Sequence, residues 1–284
     1  MDRIGIIGLG RMGSAIAQRM TAEGCAVQGW TRSGGRIEGV KSVEDLKTLV
    51  ASSDTLISSL FDDDAVADVL DALLALDLNG KQIIETSTVI PNVLKDRIEQ
   101  ITKKGATAVD APISGGPELV LAGKCGVFLG GDETSAARAR DSLSPISGRI
   151  LHVGPLGAGL VMKVINNGMI QAYFAGLNDL MPLAKRAGLP LETILRILCG
   201  GPAGIPILTD RIDKVLGEDK EVGFALSGAF KDNDVFQRVI ESFGLNSPVL
   251  TSFAQMKGAV VEAGLLDHDP AVLINLAYDR SGER

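Results

Sequence analysis

The chain reads as an α/β protein whose first half is a doubly wound parallel sheet and whose second half is all helix. Three observations predict this. Short β-branched runs alternate with amphipathic stretches over the first 155 or so residues, the grammar of βαβ crossovers. A glycine-rich turn follows directly on the first apolar run, and strand patterns disappear from Ala158 onward.

The elements follow in order. Ile4–Ile7 is a strand, residues 14–23 suit a crossover helix, and residues 26–30 give the second strand. Thr55–Ser58, Gln82–Glu85 and Thr107–Asp110 repeat the pattern, with a helix expected over 92–103. Residues 126–129, a helix after Asp132, and residues 150–153 complete the strand-bearing half. The change falls in "VGPLGAG", residues 153–159, so the expected domains are 1–157 and 158–284. Gly188-Leu189-Pro190, Gly200-Gly201-Pro202 and Ser247-Pro248 punctuate the helices beyond, and Pro182 is expected to kink the first of them.

Composition narrows the class of partner. A net charge of -7 leaves no electrostatic footprint for nucleic acid or an anionic membrane, both of which demand clustered Lys and Arg. A small molecule is the expected partner. Cys25, Cys125 and Cys199 are far apart and form no CxxC, which suggests neither a disulfide framework nor a metal site and points to a reducing cytoplasm. No export signal or membrane span is read, because Met1 runs straight into a strand and each apolar stretch is broken by Lys, Asn or Asp.

The turn "GLGRMG" comprises Gly8, Leu9, Gly10, Arg11, Met12 and Gly13. Its G-x-G-x-x-G spacing between strand and helix is that of a Rossmann dinucleotide site: the first glycine turns the chain, the second admits a pyrophosphate, and the third lets helix and strand pack closely. An acid at the end of the second strand would bind the ribose 2′-hydroxyl of NAD. Here Thr31, Arg32 and Ser33 stand instead, a guanidinium and two hydroxyls suited to a 2′-phosphate, which predicts NADP(H) over NAD(H).

"GAGLVMKVINN", residues 157–167, sets Gly159, Lys163 and Asn167 at i, i+4 and i+8, on one helical face. A lysine in so apolar a helix loses hydration unless the fold uses it. A lysine that snorkels from a helix flank is the bland alternative. "DAPISGG", residues 110–116, ends a strand where open α/β sheets hold ligands; Ser114 brings a hydroxyl, and Gly115 and Gly116 bring unobstructed amides for a carboxylate. A plain strand-to-loop turn is its alternative.

Together with "ETSTVIP" at 85–91 and "FKDND" at 230–234, these motifs resemble, in order and over essentially the whole chain, the β-hydroxyacid dehydrogenase family. That family includes 3-hydroxyisobutyrate dehydrogenase, the tartronate, glyoxylate and succinic semialdehyde reductases and, more distantly, 6-phosphogluconate dehydrogenase. The resemblance implies hydride transfer between a nicotinamide and a small β-hydroxyacid or its semialdehyde. Lys163 would be the general acid/base, with Asn167 orienting substrate and Ser114 to Gly116 holding its carboxylate; partial burial that lowered the lysine's pKa would help it act as a base. Thr86, Ser87 and Thr88 resemble the segment that touches the nicotinamide end, with simple helix caps as their alternative. Lys231, beside Asp232, resembles a lysine reaching the cofactor from the helical domain. The resemblance also implies a homodimer or homotetramer through the helices.

The chain departs from the family pattern at Leu60 and Phe61, where Leu-Pro is usual over the cofactor and three acids, Asp62 to Asp64, follow. Leu119 and Val120 stand where Gly and Ala are frequent, so the family's substrate-pocket shape does not carry over to this chain from the resemblance. His152 and His268 lie outside the motifs and read as structural. Two alternatives remain: an imine reductase on the same scaffold, against which Lys163 argues, and a non-catalytic dinucleotide-binding protein.

Overall fold

The computed structural model describes residues 2–279. Among the described residues nine strands form one sheet: β1 (Ile4–Ile7), β2 (Val27–Trp30), β3 (Lys41–Ser42), β4 (Thr55–Ser58), β5 (Gln82–Glu85), β6 (Thr107–Asp110), β7 (Ile113–Ser114), β8 (Gly126–Gly130) and β9 (Arg149–Gly154). Their order is β3-β2-β1-β4-β5-β6-β8-β7, with β9 paired to β8. All pairs from β3 to β6 are parallel; β8 runs antiparallel to β6 and β7 and parallel to β9. The order reverses between β1 and β4, where doubly wound sheets open a crevice at their carboxyl edge.

The helices of this part are α1 (Arg11–Ala22), α2 (Leu46–Ser52), α3 (Asp63–Leu74), α4 (Asn92–Lys95), α5 (Ile98–Lys103), α6 (Pro117–Leu121) and α7 (Glu133–Leu143). Alternation along each buried strand sorts its side chains to two faces. Ile6, Ile57, Ile84 and Val109 join one apolar core, and Ile7, Leu56, Ile83 and Ala108 the other. Asp45, Asp62 and Asp132 cap α2, α3 and α7 by accepting from the amides of Thr48, Ala65 and Ser135. Each such cap is worth ~1 kcal/mol.

The expected strands stand where the sequence placed them, within one or two residues. The expected 92–103 helix is broken into α4 and α5, and the first crossover helix starts at Arg11 rather than residue 14. α2 and α3 fall in the segments between strands where crossover helices are expected, whereas the short strands β3 and β7 and the helix α6 were not among the expected elements.

α8 (Ala158–Arg186) is continuous through Pro182. The chain divides into two compact units, one ending at Ile165 and one beginning at Asn166, so α8 starts in the first and continues in the second. The second unit adds α9 (Leu191–Gly200), α10 (Pro206–Thr209), α11 (Ile212–Val215), α12 (Leu226–Ser242), α13 (Pro248–Gln255), α14 (Lys257–Glu262) and α15 (Val272–Asp279). As expected, no strand follows Ala158 among the described residues. Its core is built on Phe174, Leu177, Met181, Phe230 and Phe253, the last two rings 5.3 Å apart. No helix among the described residues is long and apolar enough to cross a membrane.

Candidate active site

The glycine turn carries out the three tasks its spacing implies. Gly8 has φ +92°, and a Cβ there would collide with the Ser59 carbonyl oxygen. A Cβ on Gly13 would collide with the Gly8 carbonyl oxygen, so only glycine lets α1 start this close to β1. Gly10 is the N-cap of α1 and faces open space, with nothing within 4 Å of a Cβ. Among the described residues no side chain caps α1 and no acid sits in its first turn, so its amide end is left for an anion. The cradle fits a dinucleotide pyrophosphate.

Neighbouring strands deliver further groups to the same edge. Leu60, after β4, packs toward Gly8, and its amide donates to Ser87 Oγ at 2.8 Å. The Ser87 amide donates to Glu85 Oε1 at 2.7 Å, and Thr86 Oγ1 donates to the Ser58 carbonyl at 2.6 Å. Thr86 and Ser87 are therefore buried braces of the loop, whereas Thr88 is half-buried. Phe61 is 70% exposed. The unusual acids after it start a helix: Asp62 caps α3, and Asp63 Oδ1 accepts from the Ile90 amide at 3.0 Å.

Lys163 is 8% exposed, and its Nζ donates to the Ile113 carbonyl at 2.9 Å, immediately before Ser114. The lysine is thus buried against the serine-glycine segment rather than snorkelling to solvent. Three residues before Ile113, Asp110 ends β6 and is wholly buried. It accepts from the amides of Gly157 at 2.5 Å and Leu160 at 2.8 Å, at the start of α8. Burial raises its pKa to about 6, and those two amides oppose the rise. This aspartate heads "DAPISGG", but its partners are backbone amides 47 and 50 residues further on, which the motif itself does not announce.

Ser114 is half-buried and Gly115 is exposed with φ +121°. Side chains of α6 stand beside the two glycines. A Cβ on Gly115 would lie 2.8 Å from Leu119 Cδ1, and one on Gly116 would collide with both Glu118 carboxylate oxygens. The departure at Leu119 therefore bears directly on the expected carboxylate cradle.

Beyond β2, Thr31, Gly34, Gly35, Arg36, Ser42, Val43 and Glu44 line a cavity of about 260 Å³. Thr31 Oγ1 lies 3.5 Å from Ser33 Oγ. Arg32 and Ser33 do not line the cavity, and Arg36, a second guanidinium in the same glycine-rich turn, does. His152 Nε2 lies 2.8 Å from the Gly131 carbonyl oxygen and 3.0 Å from that of Gly154, tying β9 to the loop after β8.

In the second unit, Asn167 Oδ1 accepts from Asn166 Nδ2 at 2.9 Å. Lys231 Nζ lies 3.5 Å from Asp232 on α12. The motif around it is partly architectural: Phe230 is core, and Asn233 Nδ2 donates to Gln171 Oε1 and to the Leu250 carbonyl, joining α8, α12 and α13. Asn167 and Lys231 thus belong to the second unit and the other site residues to the first.

Residues 3–154 match a family model described as the NAD binding domain of 6-phosphogluconate dehydrogenase. Residues 157–277 match one described as "NAD-binding of NADP-dependent 3-hydroxyisobutyrate dehydrogenase". The 2-(hydroxymethyl)glutarate dehydrogenase of Eubacterium barkeri is 28% identical, over 81% of this chain and 79% of that protein. The 2-hydroxy-3-oxopropionate reductase of Escherichia coli is 25% identical, over 95% and 96%. The solved structure of Mycobacterium tuberculosis 3-hydroxyisobutyrate dehydrogenase with L-serine shares the fold, with a TM-score of 0.85 and 24% identity over 97% of this chain and 98% of that one.

Proposed function

We propose, from the premise that this chain belongs to the β-hydroxyacid dehydrogenase family and is an NAD(P)-dependent oxidoreductase of small hydroxyacids, that Lys163 is its general acid/base. One observation carries the reading: a buried lysine whose amine is hydrogen-bonded beside Ser114. A bound nicotinamide supplies or accepts the hydride. Lys163 moves the proton, giving it to the carbonyl oxygen in reduction and taking it from the hydroxyl in oxidation. As an ammonium it also stabilises the charge growing on that oxygen. Ser114, with Gly115 and Gly116, holds the substrate carboxylate, and Asn167, one turn beyond Lys163 on α8, orients the substrate.

The turn from Gly8 to Gly13 holds the pyrophosphate, Leu60, Phe61 and Thr88 border the nicotinamide end, and Thr31, Arg32 and Ser33 hold a 2′-phosphate, so NADP(H) is preferred. Arg36, on the cavity wall beside Thr31, supports that preference with a second positive charge. The domains divide at 157/158, and the helical domain carries a homodimeric or homotetrameric contact.

The test is a panel of short β-hydroxyacids and semialdehydes, followed by absorbance with each cofactor. The expected outcome is turnover of at least one of them, with kcat/KM at least tenfold higher for the phosphorylated cofactor and that advantage lost in Arg32→Ala. Reduction of a cyclic imine but of no aldehyde acid would overturn the proposal. An equal or better kcat/KM with NADH would overturn the cofactor preference alone.

A further inference from the structure

We infer that Asp110 is the positioning residue that fixes where Lys163 stands, an inference that rests on the role proposed above for Lys163. A helix leaves its first amides unpaired, and a Ser, Thr, Asp or Asn just before it normally accepts from them. α8 has no such residue: Gly154, Pro155, Leu156 and Gly157 precede it and offer no side-chain oxygen. The acceptor comes from the sheet instead. Asp110, 47 residues earlier, uses one carboxylate oxygen on the Gly157 amide and the other on the Leu160 amide.

The same strand-to-loop segment holds α8 a second time. Ile113 stands three residues after Asp110, and Lys163 stands three after Leu160, which puts the two helix positions on one face. The Ile113 carbonyl accepts from Lys163 Nζ. Segment 110–113 therefore grips the helix by its backbone at one point and by the lysine amine at the next.

Two glycines make the grip possible. A Cβ on Gly159 would collide with the Phe128 carbonyl oxygen and lie 2.8 Å from Asp110 Oδ2. One on Gly130 would collide with Asp110 Oδ1 and lie 2.8 Å from the Gly159 amide nitrogen. The start of α8 is thus pressed onto the ends of β6 and β8, with the aspartate between them. Proton transfer needs the amine within hydrogen-bond reach of the reacting oxygen, and a shift of about 1 Å can cost ~100-fold in rate. Asp110 acts through Lys163 and is assigned no contact with substrate.

A double-mutant cycle separates positioning from general upkeep of the fold. Asp110→Asn, Lys163→Ala and the double variant are compared for kcat on the best substrate of the panel above and for NADPH Kd by fluorescence. Asp110→Asn is expected to lower kcat at least tenfold when Lys163 is present, less than twofold in the Lys163→Ala background, and to leave Kd within threefold. The same fold-loss in both backgrounds, or a parallel loss of NADPH binding, would overturn the inference. A Lys163→Ala chain with undiminished kcat would instead remove the reading on which it rests. Gly159→Ala, which crowds the same contact from the helix side, is expected to repeat the pattern and serves if Asp110→Asn does not fold. A Gly159→Ala chain with unchanged kcat would also count against it.

Discussion

Glu85 shows what a single buried carboxyl can do beside a cofactor edge. It is wholly buried, accepts from the Ser87 amide, and stands in register with Asp110 on the adjacent strand. Burial, with the neighbouring Asp110 charge adding to it, pushes its pKa up to about 7. The folded chain then binds this proton more tightly than the unfolded chain. Its stabilising contribution is complete below the ordinary glutamate range and is lost as pH rises through about 7. Between pH 5 and 8 the protein should therefore lose stability relative to Glu85→Gln, by at most roughly 3 kcal/mol. Denaturant midpoints of both chains at the two pH values check this; parallel pH curves would refute it. At this scale Lys163 was legible, because a lysine amid Leu, Val, Met and Ile is anomalous in any helix. Asp110 was not, because its partners lie 47 and 50 residues away and are backbone amides that no side-chain pattern reveals.

Among the elements, the glycine turn separates two roles that one motif combines. Gly13→Ala would drive a Cβ into the Gly8 carbonyl and lever α1 off β1, whereas Gly10→Ala would place its methyl in open space. Gly13→Ala is expected to cost at least about 2 kcal/mol of stability. Gly10→Ala should leave the melting temperature within 2 or so degrees yet weaken NADPH binding at least ~10-fold, since its methyl intrudes where the pyrophosphate approaches. Equal melting losses in both variants would contradict this account. On α8, Met169, Leu180 and Leu183 of the second unit are 68%, 60% and 66% exposed along one stripe. The proposed contact between copies of the chain would cover these side chains. Light scattering at micromolar concentration should give a multiple of the chain mass, reduced by Leu180→Lys with Leu183→Lys; a monomeric mass for the unaltered chain would exclude the contact.

The four-residue parallel strands were readable because β-branched runs buried on both faces recur between helix-suited segments. β3 and β7 are two residues each, too short for a period to show, and the break between α4 and α5 falls at Asp96-Arg97, where no glycine or proline announces it.

For the whole molecule, the order of strands and helices was legible from the N-terminal turn onward, since each motif sits at the end of an element whose type its flanks declare. Legibility fails where distant segments meet. Leu119 and Glu118 beside the serine-glycine loop, and Arg36 on the cavity wall past β2, owe their relevance to tertiary placement. The central claim is that one buried amine moves the proton, and chemical rescue tests it most directly. Turnover of Lys163→Ala on the best hydroxyacid should fall ~100-fold or more and recover in proportion to added ethylammonium, which can occupy the vacated space. Turnover within threefold of the unaltered chain, with no response to the amine, would contradict the account.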